Sequence, residues 1–220
     1  MNLAIFDLDN TLLAGDSDYL WGEFLAEQGV VDGDSYKQAN DGFYEQYKAG
    51  ELDIFEFLEF SLKPLSEHDL DYLSRLHQEY MQQKILPLIS SAAKDLVNKH
   101  KAAGDYPLII TATNLFVTAP IATEFGVETI IATEPELIDN RYTGKVKGTP
   151  CFKEGKVERL EQWMDESGHT LEDSWFYSDS HNDIPLLSIV THPIAVDPDE
   201  TLQQHATQAG WKIISLHENP

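Results

Sequence analysis

The chain has 220 residues, of which 42% are hydrophobic and 24% are charged. This composition is that of a folded globular protein, and it excludes a collagen, a coiled coil and an intrinsically disordered chain. The single cysteine, Cys151, excludes an internal disulfide and a zinc site built on several cysteines, and it favours a reducing compartment.

The net charge is strongly negative, because 38 acidic residues outnumber 15 lysines and arginines and leave a charge of −23. Such a charge repels nucleic acid and anionic lipid, so we expect neither as a partner. No stretch approaches about 18 consecutive apolar residues, and Asp7 and Asp9 interrupt the first apolar run. We therefore expect a cytoplasmic protein without a signal segment or a membrane span.

Short apolar runs alternate with amphipathic helical patterns along most of the chain. The predicted strands are 3–8, 107–110, 129–132, 174–178, 193–196 and 213–215. The predicted helices are 89–103, 117–125, 153–166, 183–190 and 199–209. This alternation predicts a doubly wound α/β fold, in which helices cover both faces of a parallel sheet.

The stretch 16–86 departs from this alternation, because its patterns are helical throughout. They predict four helices, which run from Asp16 or Ser17 to Gly29, from Asp34 to Gly50, over 53–62 before Pro64, and from Ser66 with an acid at Asp69. We therefore predict two domains, an α/β core of residues 1–15 and 87–220 and an inserted all-helical domain of residues 16–86. The inserted domain holds 16 acidic and 5 basic residues, so it concentrates the negative charge.

Asp7 and Asp9 end the first predicted strand, at the edge where ligands bind to a doubly wound sheet. One residue separates them, so on an extended chain both carboxylates point to the same side. One can then act as a nucleophile while the other transfers protons. An acidic turn that merely closes the strand is the alternative interpretation of this pair.

Two further positions suit a phosphate. Thr111 follows the predicted strand 107–110, where its hydroxyl and free backbone N–H groups can hold a phosphate or simply cap the next helix. Lys156 lies in the first turn of a predicted helix, where a positive charge opposes the helix dipole. Neutralising a phosphoryl group would explain that position, and Lys153 is the competing candidate.

Asp179 and Asp183 follow the predicted strand 174–178, with small polar residues between them. Carboxylates at this spacing can build an oxygen site for Mg²⁺, which binds few carboxylates together with water and substrate phosphate. The alternative interpretation is a capped helix start. His181, between the two acids, is expected at the surface rather than on a metal.

In this order and placement the motifs resemble those of the haloacid dehalogenase (HAD) superfamily of phosphatases. The first motif of that superfamily, D-x-D-x-[TV]-L, is matched by Asp7, Asp9 and Thr11. The later motifs are matched by Thr111, Lys156, Asp179 and Asp183. The helical insertion after the first motif resembles a type C1 cap and therefore subfamily IB, the phosphoserine-phosphatase-like group. The segment GDSDYLWGEFL, residues 15–25, is similar to a branch of subfamily IB that holds histidinol-phosphate phosphatases and hydrolases of uncharacterised function.

The resemblance implies a Mg²⁺-dependent phosphomonoester hydrolase that acts on a small metabolite. Asp7 would attack phosphorus to form an aspartyl-phosphate, and Asp9 would protonate the leaving alkoxide and then activate water. Mg²⁺ would be held by Asp7, the backbone carbonyl of Asp9 and Asp179, with Asp183 supporting the site. The phosphoryl oxygens would be held by Thr111 and Lys156.

Asp16 and Asp18, where the cap begins, are candidates for substrate specificity, because acids there favour a substrate that carries a cation. Histidinol phosphate has an amine and an imidazole but no carboxylate, so it is the favoured substrate. Helix N-capping is the alternative role of both acids. Phosphoserine is second, because phosphoserine phosphatases hold the carboxylate with an arginine and the cap has only Arg75.

A phosphotransferase would use the same residues as the hydrolase. A phosphoacceptor domain or a non-catalytic phosphate-binding protein is a more remote alternative, since phosphoacceptor domains are near 120 residues long and lack a cap.

Overall fold

A seven-stranded sheet forms the centre of the protein in the computed structural model, which describes residues 1–217. Its strands are β1 (Leu3–Phe6), β2 (Tyr106–Asn114), β3 (Thr129–Ile138), β4 (Arg141–Lys147), β5 (Trp175–Ser178), β6 (His192–Val196) and β7 (Lys212–Ile214). Their order is β4-β3-β2-β1-β5-β6-β7, and all neighbours are parallel except β3 and β4. The predicted parallel sheet is therefore confirmed.

Helices cover both faces of this sheet, and β1 is therefore buried on both sides. Ala4 and Phe6 belong to one core cluster, whereas Leu3 and Ile5 belong to the other. The first cluster includes residues of α5 (Ser91–Ala103) and α6 (Leu115–Glu124). The second includes residues of α7 (Glu154–Ser167), α8 (Ile184–Leu187) and α9 (Glu200–Ala209). The doubly wound α/β fold is confirmed.

Four helices lie between β1 and α5, in the stretch predicted to be helical. They are α1 (Ser17–Glu27), α2 (Gly33–Ala49), α3 (Ile54–Glu67) and α4 (Leu70–Tyr80), and a π-helical turn (Met81–Ile85) continues α4. Trp21, Phe24 and Tyr80 join the same buried cluster as Phe6, so the inserted helices pack against one side of the sheet. The domain boundaries at 16 and 86 stay a prediction. Length and hydropathy rule out a membrane-spanning helix within residues 1–217.

The boundary between α3 and α4 differs from the prediction. Helix α3 continues through Pro64 to Glu67, and α4 begins at Leu70 with Asp69 as its N-cap. The Asp69 carboxylate accepts the Tyr72 N–H at 2.8 Å, so Asp69 rather than Ser66 caps the helix. Pro64 lies late in α3 and is buried, so the packing of the last turn offsets the backbone hydrogen bond that a proline removes.

Strand β4 does not appear among the predicted strands, because its sequence RYTGKVK contains no apolar run. It forms a hairpin with the second half of β3, in which Leu137 pairs with Tyr142. Asp139 and Asn140 make the turn with positive φ angles of 48° and 59°. This is the backbone that a two-residue hairpin of the I′ type needs, and Asp and Asn tolerate it better than most residues.

Candidate active site

A narrow cavity of about 60 Å³ lies between the carboxyl ends of the central strands and the inserted helices. The sheet and its loops contribute polar groups, which are Asp7, Asp9, Thr111, Thr113 and Lys156. The inserted helices and the residues beside them contribute acidic, amide and aromatic groups, which include Asp16, Asp18, Tyr19, Asn40, Phe43, Tyr44, Tyr47 and Phe57. The sequence-predicted residues on these two sides are therefore brought to one cavity.

Asp7 is buried directly after β1. Its backbone N–H donates to the Tyr177 carbonyl at 2.9 Å, which fixes the residue to the neighbouring strand. One carboxylate oxygen accepts a hydrogen bond from Lys156 Nζ at 2.8 Å, and the other lies 3.3 Å from the Thr11 hydroxyl. Burial raises the pKa of Asp7 to about 7 even though Lys156 lowers it. The positive charge of Lys156 therefore does not fully compensate for the burial of the Asp7 carboxylate.

Lys156 lies in the first turn of α7 with its side chain buried. Its Nζ is 2.8 Å from both Asp7 Oδ1 and Asp183 Oδ2. Burial lowers the pKa of Lys156, but the carboxylates of Asp183 and Asp7 outweigh burial, and the pKa rises above its ordinary value. Lys153 is not at this position, because its Nζ donates to the backbone carbonyl of Gly50 in the inserted domain at 2.8 Å.

Asp179 and Asp183 follow β5 and have different contacts. Asp179 receives the Thr11 hydroxyl at 3.0 Å, and burial raises its pKa well above the ordinary value. Asp183 accepts the Ser178 hydroxyl at 2.7 Å in addition to Lys156. Asp179 is therefore without a cationic partner among residues 1–217, whereas Asp183 is held on two sides.

Asp9 is held between the two parts of the molecule. Its Oδ1 accepts the backbone N–H of Ser17, the first residue of α1, at 2.7 Å. Its Oδ2 accepts the Thr113 hydroxyl at 2.8 Å, and the Thr111 hydroxyl lies 3.4 Å away. Burial raises the pKa of Asp9, while the hydrogen bonds from Ser17 and Thr113 lower it in part. Thr111 lies within β2 rather than beyond its end, because that strand continues to Asn114.

Thr113 and Ser17 are site residues that the sequence interpretation missed. For Thr113 a signal exists, since residues two apart on a strand share a side and Thr111 was already a candidate. No comparable signal marks the cavity aromatics Tyr44 and Phe57, which come from different helices and meet only in the folded chain.

Asp16 has the helix-capping contact that the sequence suggests, while its role in substrate specificity stays a prediction. Its side chain caps α1 by accepting the Tyr19 N–H at 2.8 Å, and it also lines the cavity. Burial, and then the charge of Asp9, raise the pKa of Asp16 to about 7. Asp18 lines the cavity as well, and burial raises its pKa well above the ordinary value. Arg75 is exposed on α4 and stacks over the Tyr72 ring at 5.9 Å, outside the cavity lining.

The fold and the cavity together define an α/β enzyme of the phosphatase class, with an aspartate and a lysine side by side at the carboxyl edge of the sheet. The family model described as haloacid dehalogenase-like hydrolase matches residues 4–188. The chain belongs to this family, and it is a phosphatase.

Individual relatives agree with this assignment. The chain is 45% identical to a histidinol-phosphatase of Neisseria meningitidis serogroup C over 219 residues, which cover 98% of this chain and 99% of that protein. It is 31% identical to a phosphoserine phosphatase of Mycobacterium tuberculosis, over 96% of this chain and 69% of that protein. A crystal structure of a protein of unknown function from Bordetella pertussis Tohama I shares 48% identity and a TM-score of 0.93, over 98% of this chain and 99% of that chain.

Proposed function

We propose that the phosphatase is a Mg²⁺-dependent phosphomonoester hydrolase that works through an aspartyl-phosphate on Asp7. The observation that carries this proposal is the pairing of two buried groups, the Asp7 carboxylate and Lys156 Nζ, 2.8 Å apart in the cavity wall. The carboxylate attacks phosphorus in line, the bond to the substrate alcohol breaks, and water then hydrolyses the acyl phosphate. Lys156 and Thr111 hold the phosphoryl oxygens and offset their charge.

Asp9 is the general acid and base in this proposal. It protonates the leaving alkoxide in the first step and takes a proton from the attacking water in the second. Its separation from Lys156 supports this role, since the lysine contacts Asp7 and Asp183 instead. Burial raises the pKa of Asp9, which favours the protonated form that a general acid needs.

The donor set fits Mg²⁺, which binds oxygen ligands and uses one or two carboxylates together with water and phosphate. Asp7, Asp179 and the backbone carbonyl of Asp9 would hold the ion, and Asp183 would support it. Within residues 1–217 no group of three or more His, Cys, Asp or Glu side chains is placed to bind a metal by itself. Bound Mg²⁺ supplies positive charge to the phosphoryl group.

For the substrate we propose a small phosphate ester that bears an amine, with histidinol phosphate favoured. Asp16 and Asp18 place two carboxyl groups in the cavity lining, where a cationic substrate would favour their ionised form. Tyr19, Tyr44 and Phe57 add aromatic surface suited to an ammonium or an imidazole. The similarity to the Neisseria histidinol-phosphatase over the full chain supports the same substrate.

Phosphoserine is the second candidate, favoured by the similarity to the Mycobacterium phosphoserine phosphatase. Its carboxylate needs a cationic partner, and among the described residues Lys156 is the one lysine or arginine that lines the cavity. Lys156 already contacts Asp7 and Asp183, and in this proposal its remaining N–H holds a phosphoryl oxygen, so none is left for that carboxylate. A phosphotransferase of the same family would form the same aspartyl-phosphate and differ only in the second step, where an acceptor alcohol instead of water takes the phosphoryl group.

We place the reaction in the cytoplasm, which is the compartment of small phosphorylated metabolites. The buried thiol of Cys151 suits a reducing environment. The net charge of −23 supports neither nucleic acid nor an anionic membrane as a partner.

The first test is release of inorganic phosphate from histidinol phosphate, phosphoserine and p-nitrophenyl phosphate, with MgCl₂ and with EDTA. We expect Mg²⁺-dependent turnover with the highest kcat/KM on histidinol phosphate. Asp7→Asn should lower kcat by at least about 10³-fold, because the amide cannot form the acyl phosphate. Asp165→Asn, an exposed change on α7, is the matched control and should keep wild-type activity.

Two results would contradict the proposal. Full activity of Asp7→Asn would exclude the aspartyl-phosphate. Turnover in EDTA equal to the turnover in MgCl₂ would exclude the metal requirement. A preference for phosphoserine over histidinol phosphate would leave the phosphatase chemistry in place and replace the favoured substrate.

A further inference from the structure

The Asp9 carboxylate is fixed by two hydrogen bonds, one to each oxygen. The backbone N–H of Ser17 donates to Oδ1 at 2.7 Å, and the Thr113 hydroxyl donates to Oδ2 at 2.8 Å. Both donors are neutral and buried. A carboxyl held at both oxygens keeps its plane and its remaining lone pairs in one orientation toward the cavity that it lines.

Thr113 is itself held in place. Its side chain is 5% exposed, and its backbone N–H donates to the Thr111 hydroxyl oxygen at 3.2 Å. The two threonines alternate with Ala112 on β2, so both hydroxyls lie on the side of the strand that faces Asp9. The contact of Thr111 with Asp9 is long, at 3.4 Å, whereas that of Thr113 is short. Thr113 is therefore the side chain that fixes Oδ2.

The other donor to Asp9, the Ser17 backbone N–H, comes from the inserted helices, because Ser17 is the first residue of α1. The Ser17 carbonyl accepts the Tyr80 hydroxyl at 2.7 Å, which ties the start of α1 to the end of α4. Asp9 therefore lies between a helix start of the inserted domain and a strand of the core domain. The backbone contact cannot be removed by substitution, but the Thr113 hydroxyl can.

We infer that Thr113 is a positioning residue that orients the Asp9 carboxyl toward the oxygen of the leaving alcohol. The inference rests on the proposed function, because Asp9 must be the general acid. The Thr113 hydroxyl remains a donor to Oδ2 throughout, and the proton that reaches the alcohol comes from Asp9. Loss of the hydroxyl should therefore impair proton delivery to the alcohol more than attack on phosphorus.

The leaving group distinguishes this role from a structural one. A p-nitrophenolate leaves without protonation, whereas an alkoxide needs the acid, so only alkyl esters depend on the Asp9 proton. The ratio kcat/KM is the correct readout, because it reports the steps up to release of the alcohol and not the later hydrolysis on Asp7.

The experiment compares kcat/KM of Thr113→Val, Thr113→Ser and wild type on histidinol phosphate, phosphoserine and β-glycerophosphate, three alkyl esters, and on p-nitrophenyl phosphate. We expect Thr113→Val to lose about 10- to 100-fold on the alkyl esters that the wild type hydrolyses but less than about threefold on the aryl ester. Thr113→Ser should restore the alkyl activity to within about threefold of wild type, because it keeps the hydroxyl.

Thr118→Val is the matched control. Thr118, on α6, is also buried, but its hydroxyl donates to the carbonyl of Asn114, the last residue of β2, and not to Asp9, so the wild-type ratio between ester classes should be kept. Inhibition by inorganic phosphate reports whether the Thr113→Val cavity is still formed, and we expect a constant within about threefold of wild type.

The possible outcomes are distinct. If the wild type is active and Thr113→Val loses kcat/KM equally on both ester classes, or loses none, the positioning role of Thr113 is overturned and the proposed function is not. Failure of Thr113→Ser to recover alkyl activity would also overturn it. A wild type that hydrolyses none of the four esters would overturn the proposed function, and the Thr113 assignment with it.

Discussion

Asp16 combines a structural contact and a recognition surface, and a single substitution separates them. Asn caps helices as well as Asp does, so Asp16→Asn should retain the contact with the Tyr19 N–H and lose only the negative charge. We expect kcat/KM on histidinol phosphate to fall about 10- to 100-fold, because the ammonium loses a charged partner. The activity on p-nitrophenyl phosphate, which has no cation, should stay within about threefold.

The control for this prediction is Asp69→Asn, because Asp69 makes the same capping contact at 2.8 Å to Tyr72 on α4, outside the cavity lining. It should change neither activity. The substrate preference should also depend on pH, since burial raises the pKa of Asp16 to about 7. Below that pH Asp16 is neutral, so the advantage of histidinol phosphate over the aryl ester should shrink as the pH falls. Equal losses on both esters in Asp16→Asn would assign Asp16 to the fold alone.

At the scale of residues, the sequence predicts the acids and the lysine of the cavity because they follow strands of one parallel sheet. The carboxyl ends of parallel strands share an edge, so Asp7 and Asp179 must come close in space. The distances between Asp9, Ser17 and Thr113 could not be predicted, since they depend on how the inserted helices pack. The functions of all these residues stay predictions until the variants are measured.

Gly155, the second residue of α7, packs too closely against the preceding loop to carry a side chain. A Cβ at this position would overlap the Pro150 carbonyl oxygen, which is backbone and cannot rotate away. Lys153, two residues earlier, already has a positive φ of 50°, so the loop has little freedom to adjust. We expect Gly155→Ala to lower the free energy of unfolding by about 1–3 kcal/mol. It should also lower kcat/KM, because Lys156 is displaced with the helix start.

Gly42→Ala is the matched comparison, since no atom lies within 4 Å of the added Cβ in α2. That change should raise the free energy of unfolding by about 0.5–1 kcal/mol, as alanine favours a helix. Urea unfolding midpoints measure both effects, and kcat/KM on p-nitrophenyl phosphate measures the displacement of Lys156. A wild-type midpoint and activity in Gly155→Ala would show that the loop before α7 can move without cost.

At the scale of elements, prediction succeeds where a single pattern decides the structure. The strands β1 and β5 need no long-range information, because LAIF is apolar throughout and WFYS begins with three aromatic residues. Strand β4 and the last turn of α3 are different, since each is stabilised by the other. Gly144 of β4 lies beside Ser66 in the last turn of α3, so the part of α3 beyond Pro64 packs against this strand. A local pattern cannot report such mutual stabilisation.

The excess of acidic residues lowers the free energy of unfolding most in the cavity, where buried carboxylates outnumber the one lysine. Burial raises the pKa of Asp7 and of Asp16 from 3.8 to about 7. A raised pKa in the folded state stabilises the fold below the ordinary pKa, and this contribution is lost as the pH rises through 7. Between pH 6 and pH 8 each such carboxyl should cost on the order of 1 kcal/mol when no cation is bound.

Mg²⁺ should therefore stabilise the fold, and more at pH 8 than at pH 6. In EDTA we expect a lower urea midpoint at pH 8 than at pH 6, and saturating MgCl₂ should reduce the difference because bound Mg²⁺ favours ionised carboxylates. NaCl at equal ionic strength is the control, since it screens the charge of −23 without occupying the cavity. Asp7→Asn should unfold at a higher urea concentration than wild type in EDTA and respond less to MgCl₂. Equal effects of NaCl and MgCl₂ would assign the pH dependence to the surface rather than to the cavity.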